Sequence, residues 1–439
     1  MEVKIERSNP VQAKMKIQVP VQIVNERFEA YYQNLAKRAR VPGFRPGKAP
    51  THVVKQMYAQ DTASDLSERL ISESVLHAVR EHNLSLVMPP VLVATDHPQE
   101  NKAFSFEVEV DLRPELPTID CESIEVTQET ASAEVTDEEV EQRLNNIRER
   151  EATFSDIPFA RPAQDKDLVV ISFSGTVDGV ARDGMAAENQ TLVLGQKQFL
   201  PEFEAGILGM ETGTSKDIEV KFPDNYHAED LNGKTAIFKI TLHQIKQKNL
   251  PELNDDLAKA ADPDAPTLLA LRMKIREELK TQKEKAQKDK LKDLIGDALT
   301  AKYNFPVSQR QVASMAERLA EHTHHMMHQM GVEHEESEEH AKSLMEASLK
   351  KAERDIRLSY ILEAIARAQK IEVTQDDLNA RYAEVAKKSG LSVAQIKSHY
   401  ASKEEGSEVP RVERLKLELQ DEKSLDYALS RATIKIKGS

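Results

Sequence analysis

Several residue types are rare or missing in this 439-residue chain, and each shortage excludes a class of proteins. There is no Trp, and aromatic side chains make up only 5% of the residues, which argues against large aromatic cores and favours long solvated helices. The single cysteine, Cys121, cannot form an internal disulfide, so a disulfide scaffold is excluded and a reducing compartment is expected. A chain of this length is expected to form about two to four domains.

Long apolar runs are missing as well. No segment approaches the roughly 20 apolar residues that span a membrane, so we expect no membrane partner. Residues 1–20 interleave charged and apolar side chains without an apolar stretch of signal-peptide type, and we therefore expect a soluble cytoplasmic protein. The formal charge of −14, from 60 basic and 74 acidic residues, argues against a general nucleic-acid coat. Because no phosphate-binding fingerprint, dinucleotide fingerprint or nucleophile triad is present, we predict no cofactor.

The first 112 or so residues have the pattern of a compact α+β unit. Apolar residues alternate with polar ones at 15–19 and at 104–112, which predicts two strands with one buried face each. Two helical patterns lie between them, one beginning near Asn25 and one covering about 63–82. Pro114 and Pro117 then predict an extended linker. Thr136 followed by Glu139 is a capping-box pattern that predicts the start of a helix.

Two further changes of pattern divide the rest of the chain. Eight of the 15 glycines lie between Gly175 and Gly233, among short strand-like runs, which predicts a small β-rich domain with many turns. From Leu250 onward the pattern is helical, with helices predicted at 268–301, 308–330, 337–369 and 374–389 and then two shorter ones. Residues 280–290, in the middle of the helix predicted at 268–301, are almost entirely polar. That helix therefore cannot be packed on all sides, and we expect an elongated all-α region with arms.

A local positive patch lies within this acidic chain. Residues 30–60 contain no Asp or Glu, and their centre, 41–50, is a turn rich in glycine and proline between two helices. Such a turn can hold Phe44 and Arg45 outward, which suits an anionic partner with apolar crevices, such as a ribonucleoprotein surface. The alternative is a solvated turn in which Phe44 folds back onto its own core. The basic residues of the patch are Lys37, Arg38, Arg40, Arg45, Lys48 and Lys55.

The order of residues in this turn resembles the ribosome-binding signature of the trigger factor family. The resemblance implies that Phe44 and Arg45 dock on the ribosome and that Lys48 belongs to the same signature. Some family members have a basic residue where this chain has Pro46, which would weaken one electrostatic contact. The implied ribosome-binding residues are Gly43, Phe44, Arg45, Pro46, Gly47 and Lys48.

Residues 165–246 resemble an FKBP-type peptidyl-prolyl isomerase domain. The matching segments are 172–175, 178–179, 194–195, 199–207 and 222–227, together with Phe238. The alternative is that these aromatic residues form the ordinary core of a small β domain. The resemblance implies an apolar pocket that grips a proline ring, with Tyr226 also able to offer a hydroxyl to a substrate carbonyl. The implied pocket residues are Phe173, Phe199, Leu200, Phe203, Tyr226 and Phe238.

One position departs from the FKBP pattern. Where the family commonly has a pocket aromatic followed by an acidic residue, this chain has Arg182 and Asp183. A guanidinium group is costly to desolvate inside a proline pocket. We therefore predict either that Arg182 turns outward or that isomerase activity is measurable but reduced.

A cluster of histidines and methionines between 315 and 345 invites two further hypotheses. Pairs such as His324 and His328 share a helix face, as metal ligands do, but without a nearby cysteine or zinc-finger spacing we favour an acidic, solvated helical tip and predict no metal. The methionines suit either core filling or a promiscuous binding surface. The residues are His322, His324, His325, His328, His334 and His340, with Met315, Met326, Met327, Met330 and Met345.

The resemblance covers the whole order of segments, so we predict an α+β multidomain protein. It implies a ribosome-binding domain at 1–112, a linker and helix at 113–149 that join the C-terminal body, an isomerase domain at 150–246 and a helical chaperone domain at 247–439. It further implies an ATP-independent chaperone that meets nascent and unfolded polypeptides near the exit tunnel of the large ribosomal subunit, and it allows a homodimer off the ribosome. The rival hypotheses are a stand-alone FKBP-type isomerase and a general holdase without ribosome contact.

Overall fold

The computed structural model describes residues 1–38, 42, 44, 50–129, 134–177, 179–196, 198–223, 231–329, 338–403 and 410–437. Its helices are α1 (Val21–Arg38), α2 (Thr51–Glu81), α3 (Asp137–Arg150), α4 (Pro201–Ile207), α5 (Asp255–Ala261), α6 (Leu268–Lys302), α7 (Gln309–Gln329), α8 (Glu338–Gln369), α9 (Gln375–Ser389), α10 (Val393–Ala401) and α11 (Arg411–Arg431). Its strands are β1 (Glu2–Asn9), β2 (Gln12–Val19), β3 (Val91–Thr95), β4 (Phe104–Asp111), β5 (Glu125–Glu129), β6 (Thr153–Asp156), β7 (Leu168–Val177), β8 (Val180–Val193), β9 (Ser215–Lys221), β10 (Thr235–Asn249) and β11 (Thr433–Lys437).

The chain forms two compact units. One consists of Met1–Thr130 together with Lys288–Ser439, and the other of Ala131–Gln287. None of the described helices is long and apolar enough to cross a membrane.

The N-terminal part of the first unit is an antiparallel sheet with the strand order β1-β2-β4-β3. The two central strands alternate buried and solvated residues, as predicted from their sequence, so one face of the sheet is apolar. Residues from α1 and α2 complete this core, among them Phe28, Tyr32, Leu66 and Leu70. Helix α2 begins 12 residues before the predicted start and contains a kink at Tyr58, where φ is −115° and ψ is 16°. The kink interrupts the apolar period, which explains why the pattern predicted only the later part.

A buried polar contact fixes this sheet to the helices of the same unit. Asp111, at the end of β4, is 1% exposed and accepts hydrogen bonds from the Ser308 hydroxyl at 2.8 Å and from the Arg310 guanidinium at 2.6 Å. Arg310 also donates to the carbonyl of Pro89 at 2.9 Å. A buried carboxylate without these donors would be strongly destabilising, so this contact specifies one arrangement of sheet and helices.

The helical body of the first unit has a mainly aliphatic core. It brings the last part of α6 together with α7, α8 and α11, through residues such as Ile295, Leu299, Ile356 and Ile361. A second, smaller core joins α9, α10 and α11. The prediction that two shorter helices end the chain is wrong in one respect, because α11 has 21 residues and is longer than α9, which has 15.

Strand β11 was not predicted. It pairs in parallel with β5, with Thr433 opposite Glu125 and Lys437 opposite Glu129. Its alternation of Ile and Lys over five residues is too short to predict a strand, and each residue of β11 pairs with a residue 308 positions earlier in the chain. The pairing therefore depends on tertiary structure rather than on local sequence.

The second unit contains a five-stranded sheet with the order β6-β10-β7-β8 and with β9 also paired to β10. Helix α4 packs beside this sheet, and a separate apolar cluster joins α3, α5 and the first part of α6 through Val140, Leu144, Leu271 and Ile275. The capping box that starts α3 is present as predicted. Glu139 donates its backbone N–H to the Thr136 hydroxyl at 3.3 Å, and the Glu139 carboxylate accepts the backbone N–H of Thr136 at 2.9 Å.

Candidate functional site

Four phenylalanine rings from three elements meet beside the five-stranded sheet. Phe173 comes from β7, Phe203 from the start of α4 and Phe238 from β10, and Phe199 precedes α4 by two residues. The Phe203 ring lies 5.4 Å from Phe173, 4.9 Å from Phe199 and 5.3 Å from Phe238, measured between centroids. The contacts of Phe203 with Phe173 and Phe238 are edge-to-face, with interplanar angles of 81° and 87°. Such geometry stabilises aromatic pairs beyond the area they bury and holds each ring in place.

The position of Phe238 depends on a glycine in the neighbouring strand. The register of β10 and β7 places Phe238 directly opposite Gly175. A Cβ atom built on Gly175 would lie 2.5 Å from Cε1 of the Phe238 ring and 3.0 Å from Cε of Met185. The ring therefore occupies the space above the glycine, and any larger residue at this position would displace it.

A buried carboxylate orders the segment that carries Phe199. Glu204 is 7% exposed, and its two carboxylate oxygens accept the backbone N–H groups of Gly195 at 2.9 Å and of Phe199 at 3.1 Å. Gly195 has a φ of +85°, and a Cβ atom there would lie 2.1 Å from the Asp165 carboxylate. Two charge-assisted bonds from one buried side chain fix the backbone just before α4.

Part of the aromatic cluster reaches the surface. Phe203 and Phe238 are 2% and 7% exposed, whereas Phe173, Phe199 and Leu200 are only half-buried. Beside them is a shallow pocket of about 360 Å³. It is lined by Leu200, Pro201, Glu202, Lys221, Phe222 and Pro223.

The structure thus brings together five of the six pocket residues that the resemblance implies, and the sixth, Tyr226, lies outside the described residues. It adds contributors that the sequence reasoning did not assign. The Phe222 ring is 4% exposed and lies 6.5 Å from Phe238, and it stands in the same Phe-Pro segment that carried the resemblance. Glu204 and Gly175 also stand in matched segments, but their roles depend on hydrogen bonds and strand register that no motif expresses.

Arg182 lies on β8, one residue after Ala181, which pairs with Thr176 on β7. Its side chain is half-buried. The effect of this guanidinium on turnover stays a prediction.

Of the basic turn at 41–50, the structure describes Pro42, Phe44 and Pro50. Phe44 is 42% exposed and does not belong to the apolar core of the N-terminal sheet and helices. The remaining residues assigned to docking, Gly43, Arg45, Pro46, Gly47 and Lys48, lie outside the described residues.

The histidine and methionine region divides between surface and core. Among the described residues there is no group of three or more His, Cys, Asp or Glu side chains placed to hold a metal ion. His325 hydrogen-bonds through Nε2 to Gln329 at 2.9 Å. Met315 and Met345 pack against the helical body, whereas Met326 is 43% exposed. Met330 and His334 lie outside the described residues.

Comparison with known proteins agrees with this arrangement along the whole chain. Residues 1–147 match the family model of the bacterial trigger factor protein, and residues 267–426 match the model of its C-terminus. Residues 160–243, which contain the aromatic cluster, match the FKBP-type peptidyl-prolyl cis-trans isomerase model. The trigger factor of Syntrophotalea carbinolica is 32% identical over 405 residues, covering 92% of this chain and 91% of its own length. The chain belongs to the bacterial trigger factor family.

The trigger factor of Anoxybacillus flavithermus is similar over an even longer stretch, with 31% identity over 439 residues that cover 99% of this chain and all of its relative. The trigger factor of Bdellovibrio bacteriovorus is 32% identical over all of this chain and 97% of its own. As a trigger factor, the protein is a ribosome-associated chaperone that carries a peptidyl-prolyl isomerase domain. Nothing favours the stand-alone isomerase or the holdase without ribosome contact.

Proposed function

We propose that the aromatic cluster is the site where the isomerase domain binds a prolyl peptide. The pocket residues are Phe173, Phe199, Leu200, Phe203, Tyr226 and Phe238, with Phe222 added to them. The observation that supports this most directly is that rings from three elements are held at fixed edge-to-face angles while one side of the cluster is open to solvent. A domain that used these rings only as core would be expected to cover that side.

Such a pocket can accelerate isomerisation without an acid, a base or a cofactor. Rotation about an X–Pro bond has a barrier of about 18–20 kcal/mol because the amide loses its resonance. An apolar surface that holds the proline ring and removes water from the amide disfavours the planar, charge-separated ground state relative to the twisted one. Tyr226 would stabilise the substrate carbonyl through its hydroxyl.

The pocket assignment can be tested at Gly175, which touches no substrate in this proposal. Gly175→Ala should displace the Phe238 ring and lower kcat/KM for a proline-containing tetrapeptide about tenfold or more, because the added Cβ would lie 2.5 Å from that ring. Ser174→Ala is the matched control, since Ser174 is the exposed neighbour on the same strand. Equal rates for both variants would contradict the assignment.

The proposed ribosome contact is the turn from Gly43 to Lys48. An exposed Phe44 next to Arg45 and Lys48 offers an apolar contact together with positive charge, which suits the large subunit near the exit tunnel. We further propose that the protein works in the cytoplasm, where nascent and unfolded polypeptides leave the ribosome. Pro46 in place of a basic residue is expected to weaken docking by one electrostatic contact.

The contact is tested by cosedimentation of the full chain with ribosomes at two salt concentrations. Phe44→Ala/Arg45→Ala/Lys48→Ala should reduce binding at least tenfold. The matched control, Leu76→Ala/Arg80→Ala/Lys102→Ala, also removes one exposed apolar and two exposed basic side chains from the same part of the chain and should bind normally. Intact binding of the first triple variant would overturn the docking assignment.

We also propose the division into residues 1–112, 113–149, 150–246 and 247–439 as functional segments. Two separate apolar cores, one from Ala13 to Leu112 and one from Ala163 to Ile245, support the ribosome-binding and isomerase segments. The packing of α3 against α5 and α6 supports the assignment of 113–149 as the segment that joins the helical body.

A further inference from the structure

Strand β3 forms an unusually apolar edge of the N-terminal sheet. It is the last strand in the order β1-β2-β4-β3, so only one of its two edges is paired. All five of its residues are exposed, and Val91, Leu92 and Val93 are 42%, 44% and 48% exposed. Apart from the ladder with β4, no backbone–backbone hydrogen bond among the described residues involves Val91–Thr95. The outer edge thus presents free peptide groups next to apolar side chains.

Strand β3 contains a β-bulge at Val93, but unlike the other edge strands it has no charged side chain. Exposed edges normally carry charged side chains, because charge discourages the addition of a further strand. Strand β1, at the opposite edge of the same sheet, carries Glu2, Lys4, Glu6 and Arg7. Charged residues are also present in β5, β6, β8, β9 and β11. Among the edge strands in the described part of the chain, β3 alone has no charged residue.

Prolines limit how long a strand could pair with this edge. Pro89 and Pro90 precede β3 and Pro98 follows it, and a proline has no N–H to donate to a ladder. Five residues at about 3.4 Å each give a paired length of about 17 Å. A single added strand of that length falls well short of the roughly 800 Å² per partner that stable interfaces bury. The edge is therefore suited to brief pairing with a short extended segment and poorly suited to a lasting dimer.

We propose that β3 binds extended apolar segments of unfolded polypeptides by accepting them as a fifth strand of the N-terminal sheet. The proposal rests on the chaperone function and adds a mode of binding to it. Recognition comes from main-chain hydrogen bonds, which every peptide can offer, and from Val91, Leu92 and Val93, which select apolar side chains. Because backbone pairing does not depend on a particular sequence, such a site accepts many clients.

The test is fluorescence anisotropy with the full chain and a labelled nine-residue peptide of alternating threonine and valine. A second peptide with the same side chains but with every backbone amide N-methylated has no N–H group to donate along either edge, and its methyl groups block close approach of another strand. The native chain should bind the first peptide at least tenfold more tightly than the second. Val93→Lys should weaken binding of the first peptide about tenfold, whereas Ser8→Lys, which adds the same charge to the exposed face of β1, should not. Unchanged melting temperatures exclude unfolding as the cause.

A photo-crosslinking residue at position 93 in the otherwise native chain gives a readout that does not depend on a weakened variant. It should capture the unmethylated peptide and spare the methylated one. Equal binding of the two peptides, or equal binding by the two lysine variants, would overturn the proposal. If the native chain instead self-associates in sedimentation velocity and Val93→Lys alone abolishes this, the occupant is a second copy and the peptide proposal is wrong. Ribosome cosedimentation and isomerase rates, measured on the same variants, report separately on the proposed function.

Discussion

The isomerase region, residues 150–246, and the helical body are packed with different kinds of side chain. Seven of the 12 phenylalanines lie between residues 150 and 246, whereas only Phe305 lies after residue 246. In the isomerase region the rings touch one another at fixed angles, and part of the cluster is open. The core of the helical body is mainly aliphatic, with one buried ring pair, Phe305 and Tyr360, and its helices are joined by ion pairs such as Lys292 with Asp426 at 3.0 Å. Rigid rings suit a shaped pocket, and aliphatic side chains suit the assembly of helices.

The largest effect is expected where the ring cluster is broken. Phe203→Ala removes the ring that contacts Phe173, Phe199 and Phe238 and should destabilise the isomerase region by about 3–5 kcal/mol. Hydrogen exchange followed by mass spectrometry should rise in peptides from 165–246 and stay unchanged in peptides from 290–365. Phe159→Ala is the control, because Phe159 is 82% exposed and its loss should change stability by less than about 0.5 kcal/mol. A uniform rise along the chain would contradict the contrast between the two regions.

The next effect concerns the carboxylate that orders the pocket. Glu204→Gln keeps the shape of the side chain but replaces two charge-assisted acceptors, and it should destabilise the region by about 1.5–3 kcal/mol. Because Phe199 loses its fixed position, KM for a prolyl peptide should rise more than kcat falls. Glu211→Gln, which changes an exposed carboxylate in the loop after α4, should leave both constants as they are. An unchanged KM for Glu204→Gln would remove its positioning role.

In the helical body the corresponding test is electrostatic. Burial raises the pKa of Asp421 on α11 to about 6, with further contributions from the charges of Glu363 and Glu418. A carboxyl whose pKa is raised in the folded state is penalised when it ionises, so stability falls as the pH rises from about 4 to 6 and stays low above that. Asp421→Asn should therefore stabilise the body at pH 7.5 by about 1–2 kcal/mol, after allowance for partial solvent exposure.

The gain from Asp421→Asn should shrink below pH 6 and be absent near pH 4. The measurement is protection from hydrogen exchange in peptides from α8 and α11 at several pH values. Asp293→Asn removes an exposed carboxylate from α6 and should produce no such pH-dependent gain. A gain that is the same at pH 4 and pH 7.5 would show that the charge of Asp421 is not its cause.

The smallest effect is expected at a helix cap of the body. The Thr374 hydroxyl accepts the backbone N–H of Asp377 at 3.3 Å, and the Asp377 carboxylate accepts the backbone N–H of Thr374 at 2.7 Å, which closes a capping box at the start of α9. Thr374→Ala should cost about 1 kcal/mol, measured as faster hydrogen exchange in the first turn of α9. Ser398→Ala, in the exposed interior of α10, should be neutral or slightly stabilising because alanine favours helix. Equal losses in both variants would rule out a capping effect.

Much of the fold could be predicted from local periodicity. The strands at β2 and β4, the long helix α6 and the capping box at Thr136 have patterns that depend only on neighbours along the chain. Local periodicity does not predict features that depend on long-range contacts, such as strand β11 and the buried contact of Asp111 with Arg310. A carboxylate at the end of a strand carries no signal that a guanidinium almost 200 residues later will cover it.

The candidate site divides in the same way. Its rings were implied by resemblance to a known domain, and overall composition, with only 5% aromatic residues, gave no sign that they would gather in one place. The roles of Glu204 and Gly175 could not be predicted from the sequence. The hydrogen bonds that the Glu204 carboxylate accepts, and the close approach of the Phe238 ring to Gly175, depend on the folded arrangement and on strand register. Val91–Thr95 can be recognised as a short edge strand only from their pairing with β4.

The pairing of β5 with β11 also bears on how the protein itself is made. Residues are added from the N-terminus onward, and Thr433, which pairs with Glu125, is 308 residues later. At roughly 5–20 residues per second, β5 waits on the order of 15–60 s after its own synthesis before β11 exists. The parallel ribbon therefore cannot form while the chain is being extended through α6–α11, and the helical body is completed only late in translation. A chaperone that meets other chains during their synthesis thus finishes its own folding only at the end of its own synthesis.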